Sequence, residues 1–212
     1  MTWAERAEAA IARYEGGETR GLDQRQLTQL ANSAWAAGLC LLMDGRTDEA
    51  RTWLRRAATR YRESWEGAPP DSWGRPIAAM KALLLAGGDA TEAARWALEA
   101  GASSAPSPIG RYAAALALLV LGDDVEARAL GSTLRGLEDF PAAVADAIVT
   151  IAAADRAGYL LAIADILESF EQRAEFLEDV RVADTVLVLQ LLAAERGAAA
   201  DLPPSELLPT AS

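Results

Sequence analysis

Three stretches of this chain stop one helix and start the next with nearly the same residues. They are Leu41-Leu-Met-Asp-Gly-Arg-Thr-Asp-Glu-Ala-Arg51, Leu84-Leu-Ala-Gly-Gly-Asp-Ala-Thr-Glu-Ala-Ala-Arg95 and Leu119-Val-Leu-Gly-Asp-Asp-Val-Glu-Ala-Arg128. Each has an apolar helix end, a glycine that leaves the helix, an acidic residue that favours a new N-terminus, and then Glu-Ala-(Ala)-Arg. The small alanine after the turn lets two successive helices approach closely. The recurrences lie 44 and then 33 residues apart, a period that belongs to helix-hairpin repeats. The longer first interval contains the Gly67-Ala-Pro-Pro70 connection.

Other signals fill in the remaining boundaries. Gly16-Gly17 ends a first helix. Asp71 or Ser72 is expected to cap a helix with Pro76 in its first turn, and Gly87-Gly88 to end it. Asp89-Ala-Thr-Glu92 has capping-box spacing. Ser107-Pro108 places a capping hydroxyl before a first-turn proline, Gly122 ends that helix, and Asp139 with Pro141 marks another start. No segment alternates strictly enough for a strand. The expected fold is all-α: about ten helices of roughly 11 to 20 residues, joined by turns short enough to make neighbours antiparallel. The hairpins form an irregular right-handed stack. One helical-repeat domain covers residues 1–197, and a Pro-containing tail follows over 198–212.

The first helices of the pairs are apolar all round. Ile77 to Ala86 contains a single charge, Lys81, Tyr112 to Leu121 contains none, and Val144 to Ala154 contains only Asp146. A helix without a polar face is buried on every side. An open superhelix would leave these helices lining a wet groove. Instead, the inner layer must be closed by the second helices, filled by a terminal helix, or covered by another chain, the main case being a homodimer along that face.

The chain has 20 basic and 31 acidic residues, a net charge of −11. Such a surface repels phosphate backbones and anionic lipid, which argues against nucleic-acid and membrane partners. The chain contains no histidine and one cysteine, Cys40. The commonest general base and metal ligand is therefore missing, and neither an intramolecular disulfide nor a Cys-His or Ser-His-Asp constellation can form. Cys40 sits in an apolar run and reads as a structural thiol. No apolar run approaches the roughly 20 residues of a membrane span. The N-terminus lacks the apolar core of a signal peptide, so the expected location is cytoplasmic and no cofactor is implied.

Residues 31 to 62 resemble a tetratricopeptide repeat. Gly38 falls at that motif's first-helix glycine, and Ala50, Leu54 and Ala57 at its small–large–small positions on the second helix. The motif's tryptophan position is Ala34, with Trp35 beside it, and Arg62 stands where a terminal proline is usual. A second copy starts at Arg75, with Ala94, Leu98 and Pro106 in register, and a third keeps Ala127. The resemblance implies helix-hairpin architecture and says almost nothing of function. The C-terminal stretch from Phe176 to Gln190, followed by Gly197 and Asp201 to Pro209, is similar to the end of the immunity protein 49 family of bacterial toxin-neutralising proteins.

Two Gly-Arg pairs are the best candidates for recognition. Trp73-Gly-Arg75-Pro and Pro108-Ile-Gly-Arg111-Tyr112 place their arginines 36 residues apart, about one repeat. Arg75 and Arg111 would project from neighbouring hairpins, and Trp65, Trp73 and Tyr112 would complete an aromatic and guanidinium patch of the kind enriched at binding hot spots. Alternatively, each arginine pairs with a nearby acid such as Asp71. The basic helix with Trp53, Arg55, Arg56, Arg60 and Arg62 is read as ion-paired to Asp48, Glu49, Glu63 and Glu66. The acidic group Glu168, Glu171 and Glu175 shares one helix face and is read as solvated. The leading expectation is a non-catalytic protein–protein interaction module. The alternatives are an immunity protein, and an enzyme or small-molecule binder within the helical layers.

Overall fold

The computed structural model describes residues 1–210, and residues 211 and 212 of the expected tail lie outside the described residues. The described residues are all-helical, with ten α-helices, two 3-10 turns and no strand. No helix among them is long and apolar enough to cross a membrane. The chain divides into two compact units. Of the described residues, the first comprises 1–88, 173–184 and 204–210, and the second comprises 89–172 and 185–203.

In the first unit, α1 (Trp3–Gly17), α2 (Gln24–Met43), α3 (Thr47–Glu63) and α4 (Gly74–Leu85) pack each on the next. Two helices start on full capping boxes. Thr2 pairs with Glu5 at α1, and Asp23 with Gln26 at α2, each cap side chain accepting the third residue's N–H while that residue's side chain accepts the cap's own N–H. The α2–α3 seam is set by Gly38. A β-carbon there would lie 2.6 Å from Leu54 Cγ, so only glycine allows this approach. Ala50, Leu54 and Ala57 are fully buried on the facing side.

Two later segments complete this unit. Around the 3-10 turn Leu177–Asp179, α1 supplies both clamps: Arg13 pairs with Glu178 at 3.3 Å, and Arg6 Nη1 donates to the Asp179 carbonyl at 3.1 Å. They hold two consecutive non-glycine residues at positive φ, Glu178 at 55° and Asp179 at 56°, a costly conformation that needs such anchoring. Near the end of the chain Leu207 is buried and its carbonyl accepts the Ala183 N–H at 3.0 Å.

The second unit contains α5 (Thr91–Glu99), a 3-10 turn at Ala102–Ser104, α6 (Pro108–Leu121), α7 (Asp124–Leu134), α8 (Ala142–Ala152), α9 (Arg156–Glu171) and α10 (Asp184–Ala194), whose first residue is counted with the first unit. Here α5 packs on α6, α6 on α7, α7 on α8, and α8 on α9. The α7–α8 seam again rests on a glycine: a β-carbon on Gly131 would lie 2.8 Å from Ile148 Cγ2. Beyond α10, the Gln190 amide donates to the Ala200 carbonyl at 2.6 Å and accepts the Ala200 N–H at 3.1 Å. The first part of the expected tail is thus held by a side chain that satisfies both of its backbone groups.

The apolar helices are covered within the single chain. No residue is exposed in α2 from 31 to 43, in α4 from 75 to 85, in α6 from 111 to 121 or in α8 from 143 to 152. Their successors are two-faced: in α3, Trp53, Leu54 and Ala57 are buried while Arg51, Arg55 and Arg56 are exposed.

Two expected caps are corrected. Neither Asp71 nor Ser72 caps α4; its N-cap is Trp73. Asp71 accepts the Trp73 indole N–H at 3.0 Å, and the Ser72 hydroxyl donates to the Pro69 carbonyl at 2.7 Å, so both side chains hold the preceding turn. Asp89 does accept a helix-opening N–H, that of Thr91 at 2.8 Å, but Ala90 occupies the cap position.

Candidate functional site

Trp65, Trp73 and Arg75 come together in the first unit. The chain leaves α3 at Ser64, passes Gly67 and the two prolines, and re-enters a helix at Gly74. That path brings the Trp65 and Trp73 rings to 5.6 Å at a tilt of 45°. Trp73 is buried and Trp65 half-buried. Arg75, only 9% exposed, reaches back across the connection. Its Nη1 donates to the Ser64 carbonyl at 2.6 Å and its Nη2 to the Gln24 side-chain carbonyl. Both acceptors are neutral. Burial therefore draws the guanidinium's pKa below its ordinary value, with no carboxylate to oppose it. Asp71, the acid nearest in sequence, holds the Trp73 indole. Arg75 ties α2, the end of α3 and the start of α4 to one another.

Arg111 and Tyr112 belong to the second unit. Arg111 is half-buried, and its Nε donates to the Ala105 carbonyl at 3.4 Å. Tyr112 is buried with its ring 5.5 Å from Phe140. Of the five residues singled out for recognition, Trp65 and Arg111 retain partial exposure, while Trp73, Arg75 and Tyr112 are inside their units.

The basic face of α3 is engaged within the chain. Arg56 stacks 4.4 Å from the Trp53 ring centre. Arg60 pairs with Glu63 at 2.7 Å, with Glu18 just past the end of α1, and through its Nε with the Tyr14 hydroxyl at 3.1 Å. Cys40 is fully buried, and burial pushes its thiol up to about 11, which keeps it in the unreactive protonated form.

Sequence reasoning did not find the polar cluster inside the first unit. Lys81, the only lysine in the chain, is 8% exposed and its Nζ lies 2.7 Å from Asp184. The Tyr61 hydroxyl donates to Asn32 at 2.8 Å, and desolvation raises its pKa well above the usual range, with Asp184 and Glu178 adding to the effect. The one available signal was a lone charge in the otherwise apolar run from Ile77 to Ala86. A cleft of about 560 Å³ opens between α1 and α2, with Ala12 and Leu30 as well as Arg13, Gln29, Ser33 and Glu178 on its walls. Among the described residues there is no group of three His, Cys, Asp or Glu side chains placed to hold a metal ion.

The outward face of α9 was missed as well. Leu160 and Leu161 are 44% and 70% exposed, although their run, Tyr-Leu-Leu-Ala-Ile-Ala, reads as core.

Charge separates the two units. The first has 14 basic and 16 acidic residues, net −2; the second has 6 and 15, net −9. Compared with family models, with curated proteins and with solved structures, the chain matches none.

Proposed function

We propose that this chain is a non-catalytic protein–protein interaction module of the tetratricopeptide-like type, acting in the cytoplasm and built as an irregular right-handed stack of antiparallel helix hairpins. The observation that carries the reading is the sorting of the helices. Those that are apolar all round, α4, α6 and α8, have no exposed residue over most of their length, whereas α3 and α9 keep one face open. Recognition then falls to the outer helices and to the turns between them. Trp65 and Arg111 are the members of the aromatic and guanidinium group within reach of a partner; Trp73, Arg75 and Tyr112 hold their backbones in place.

Site-specific photo-crosslinking tests this. A crosslinker is placed at position 65 or at position 111 of the full chain in an extract of its own cells. A discrete heavier adduct at either position is the expected result. No adduct at either, with monomer-only behaviour in light scattering, would overturn the assignment of these contacts.

The net charge of −9 in the second unit favours a second reading, an immunity protein that covers the basic active site of a toxin. Co-expression with a toxin encoded beside it would then rescue growth, and a neighbourhood without such a gene counts against it.

A further inference from the structure

A helix that is apolar on all sides is stable only when every side is covered. The apolar helices α4, α6 and α8 are covered in this way, and the apolar outer residues of α9 are not. Its inner face, from Tyr159 through Ile163 and Ile166 to Phe170, is buried. Its outer face carries Leu160, Leu161 and Ala164, all exposed, with Leu161 at 70%. Three- and four-residue spacing puts these on one stripe. The stripe continues into Asp165 and Glu168, also exposed. Among the described residues neither acid forms an ion pair: Asp165 has no cationic partner, and Glu168 accepts only the Gln172 amide at 2.9 Å. The one arginine of the helix, Arg156, faces Asp201 at 3.4 Å. The stripe is therefore apolar in its first half and uncompensated anionic in its second, on a unit of net charge −9.

Building on the interaction-module reading, we infer that the outer face of α9 docks an amphipathic basic helix of a partner protein. The partner's Leu or Ile stripe covers Leu160, Leu161 and Ala164, and its Lys or Arg side chains lie against Asp165 and Glu168. Charge selects this occupant over a second copy of the chain. A copy would bring another unit of net −9 and the same two carboxylates to the contact, and like charges across an interface oppose association.

The probe is a labelled synthetic peptide of about 18 residues, long enough to form helix on binding, with leucines at helical spacing and lysines along their flank. A scrambled peptide of the same composition serves as the control. Fluorescence anisotropy against the full chain reads the affinity. The wild-type chain is expected to bind the amphipathic peptide and to bind the scrambled one far more weakly. Leu160→Ser with Leu161→Ser leaves the net charge unchanged and should weaken binding on the order of tenfold, the scale of losing anchor residues. Asp165→Lys with Glu168→Lys should weaken it similarly and flatten its salt dependence. All four positions are exposed, and circular dichroism verifies that each variant stays helical.

Equal binding of the scrambled peptide, indifference to the leucine substitutions, or no binding at all overturns the proposal. So does a homodimer in light scattering that the leucine substitutions dissolve. If crosslinking at 65 or 111 still captures a partner while the peptide is ignored, the α9 face falls and the interaction reading stands.

Discussion

The two units of this protein solve the same packing problem with different materials. The first contains five of the six tryptophans and balances 14 basic against 16 acidic residues. Its cations are turned onto its own structure: Arg56 on the Trp53 ring, Arg60 on Glu18, Glu63 and Tyr14, and Arg6 and Arg13 on the 178–179 turn. The second has one tryptophan, packs Ala, Leu, Ile and Val, and has only 6 basic residues for 15 acidic ones. The acids of the first unit are nearly matched by basic residues, whereas those of the second outnumber theirs by more than two to one. The proposed partner helix would meet unmatched carboxylates of the second unit.

The strongest challenge to this contrast is a matched pair of core truncations. Leu54 and Ile148 are both fully buried, each against an interhelix glycine. Leu54→Ala and Ile148→Ala should each cost about 3 kcal/mol, within the range for large-to-Ala core changes. Hydrogen exchange read by mass spectrometry should localise each loss to its own unit. A loss spread evenly over both units in both variants would mean that the division has no energetic meaning.

Arginine removal sharpens the comparison next. In the acidic unit Arg196 lies 2.6 and 2.8 Å from Asp124 Oδ1 through Nη2 and Nε, and 2.7 Å from the Leu119 carbonyl. Arg196→Ala should cost about 2–3 kcal/mol, the upper range for hydrogen bonds to a charged group. Arg75 has only neutral acceptors, and Arg75→Ala should cost roughly 1–2 kcal/mol, the range for ordinary hydrogen bonds with some exposed remainder. Denaturant titration of both variants decides it, and the reverse order would break the account of how each unit uses its cations.

Comparing the wild type with a Cys40→Ala variant at alkaline pH probes the first unit through Cys40. Burial raises its pKa in the folded chain to about 11, above the ordinary 9.0 of a thiol. The contribution is fully present below pH 9 and is lost as pH rises through about 11, because the unfolded thiol gives up its proton first. Cys40→Ala should flatten the stability of the chain over that window. In the native wild type at neutral pH the thiol should ignore thiol reagents. Rapid labelling there would contradict its burial.

The smallest effect expected is that of salt. Raising sodium chloride screens the self-repulsion of the second unit and has little to relieve in the first. Exchange protection in the second unit should rise by an amount equivalent to roughly 3 °C of midpoint, under 1 kcal/mol at the usual conversion. An equal gain in the first unit would show that net charge is not what separates them.

Much of the fold was legible along the chain because turns are local chemistry. Gly87 and Gly122 sit at φ of 62° and 79° at the ends of α4 and α6, and Pro108 opens α6. The covered state of Ile77–Ala86 and Tyr112–Leu121 followed from their lack of a polar face. Partner choice was not legible. Arg13 finds Glu178, Lys81 finds Asp184 and Arg196 finds Asp124 across 165, 103 and 72 residues, and any of several acids would have satisfied a sequence argument. The candidate patch shows the same limit. Spacing placed Arg75 and Arg111 at helix starts, but only the path through Gly67 to Trp73 turns Arg75 inward onto Ser64. The leucines of α9 escaped notice for the opposite reason, since an exposed apolar residue and a core one look identical in a sequence.

The first unit is discontinuous, and that has a consequence in time. Its four helices are made first, but the segments that clamp α1 and bury Leu207 come from residues 173–184 and 204–210. At ribosomal rates of about 5–20 residues per second, the roughly 120 residues beyond α4 take on the order of 6 to 24 seconds to synthesise. For that interval the nascent N-terminal helices have Arg6 and Arg13 without their acceptors and an apolar seam without its closing residues. The second unit, by contrast, needs only the short wait from residue 172 to 203. The unit whose residues begin the chain is also the one whose closing residues are made after those of the other.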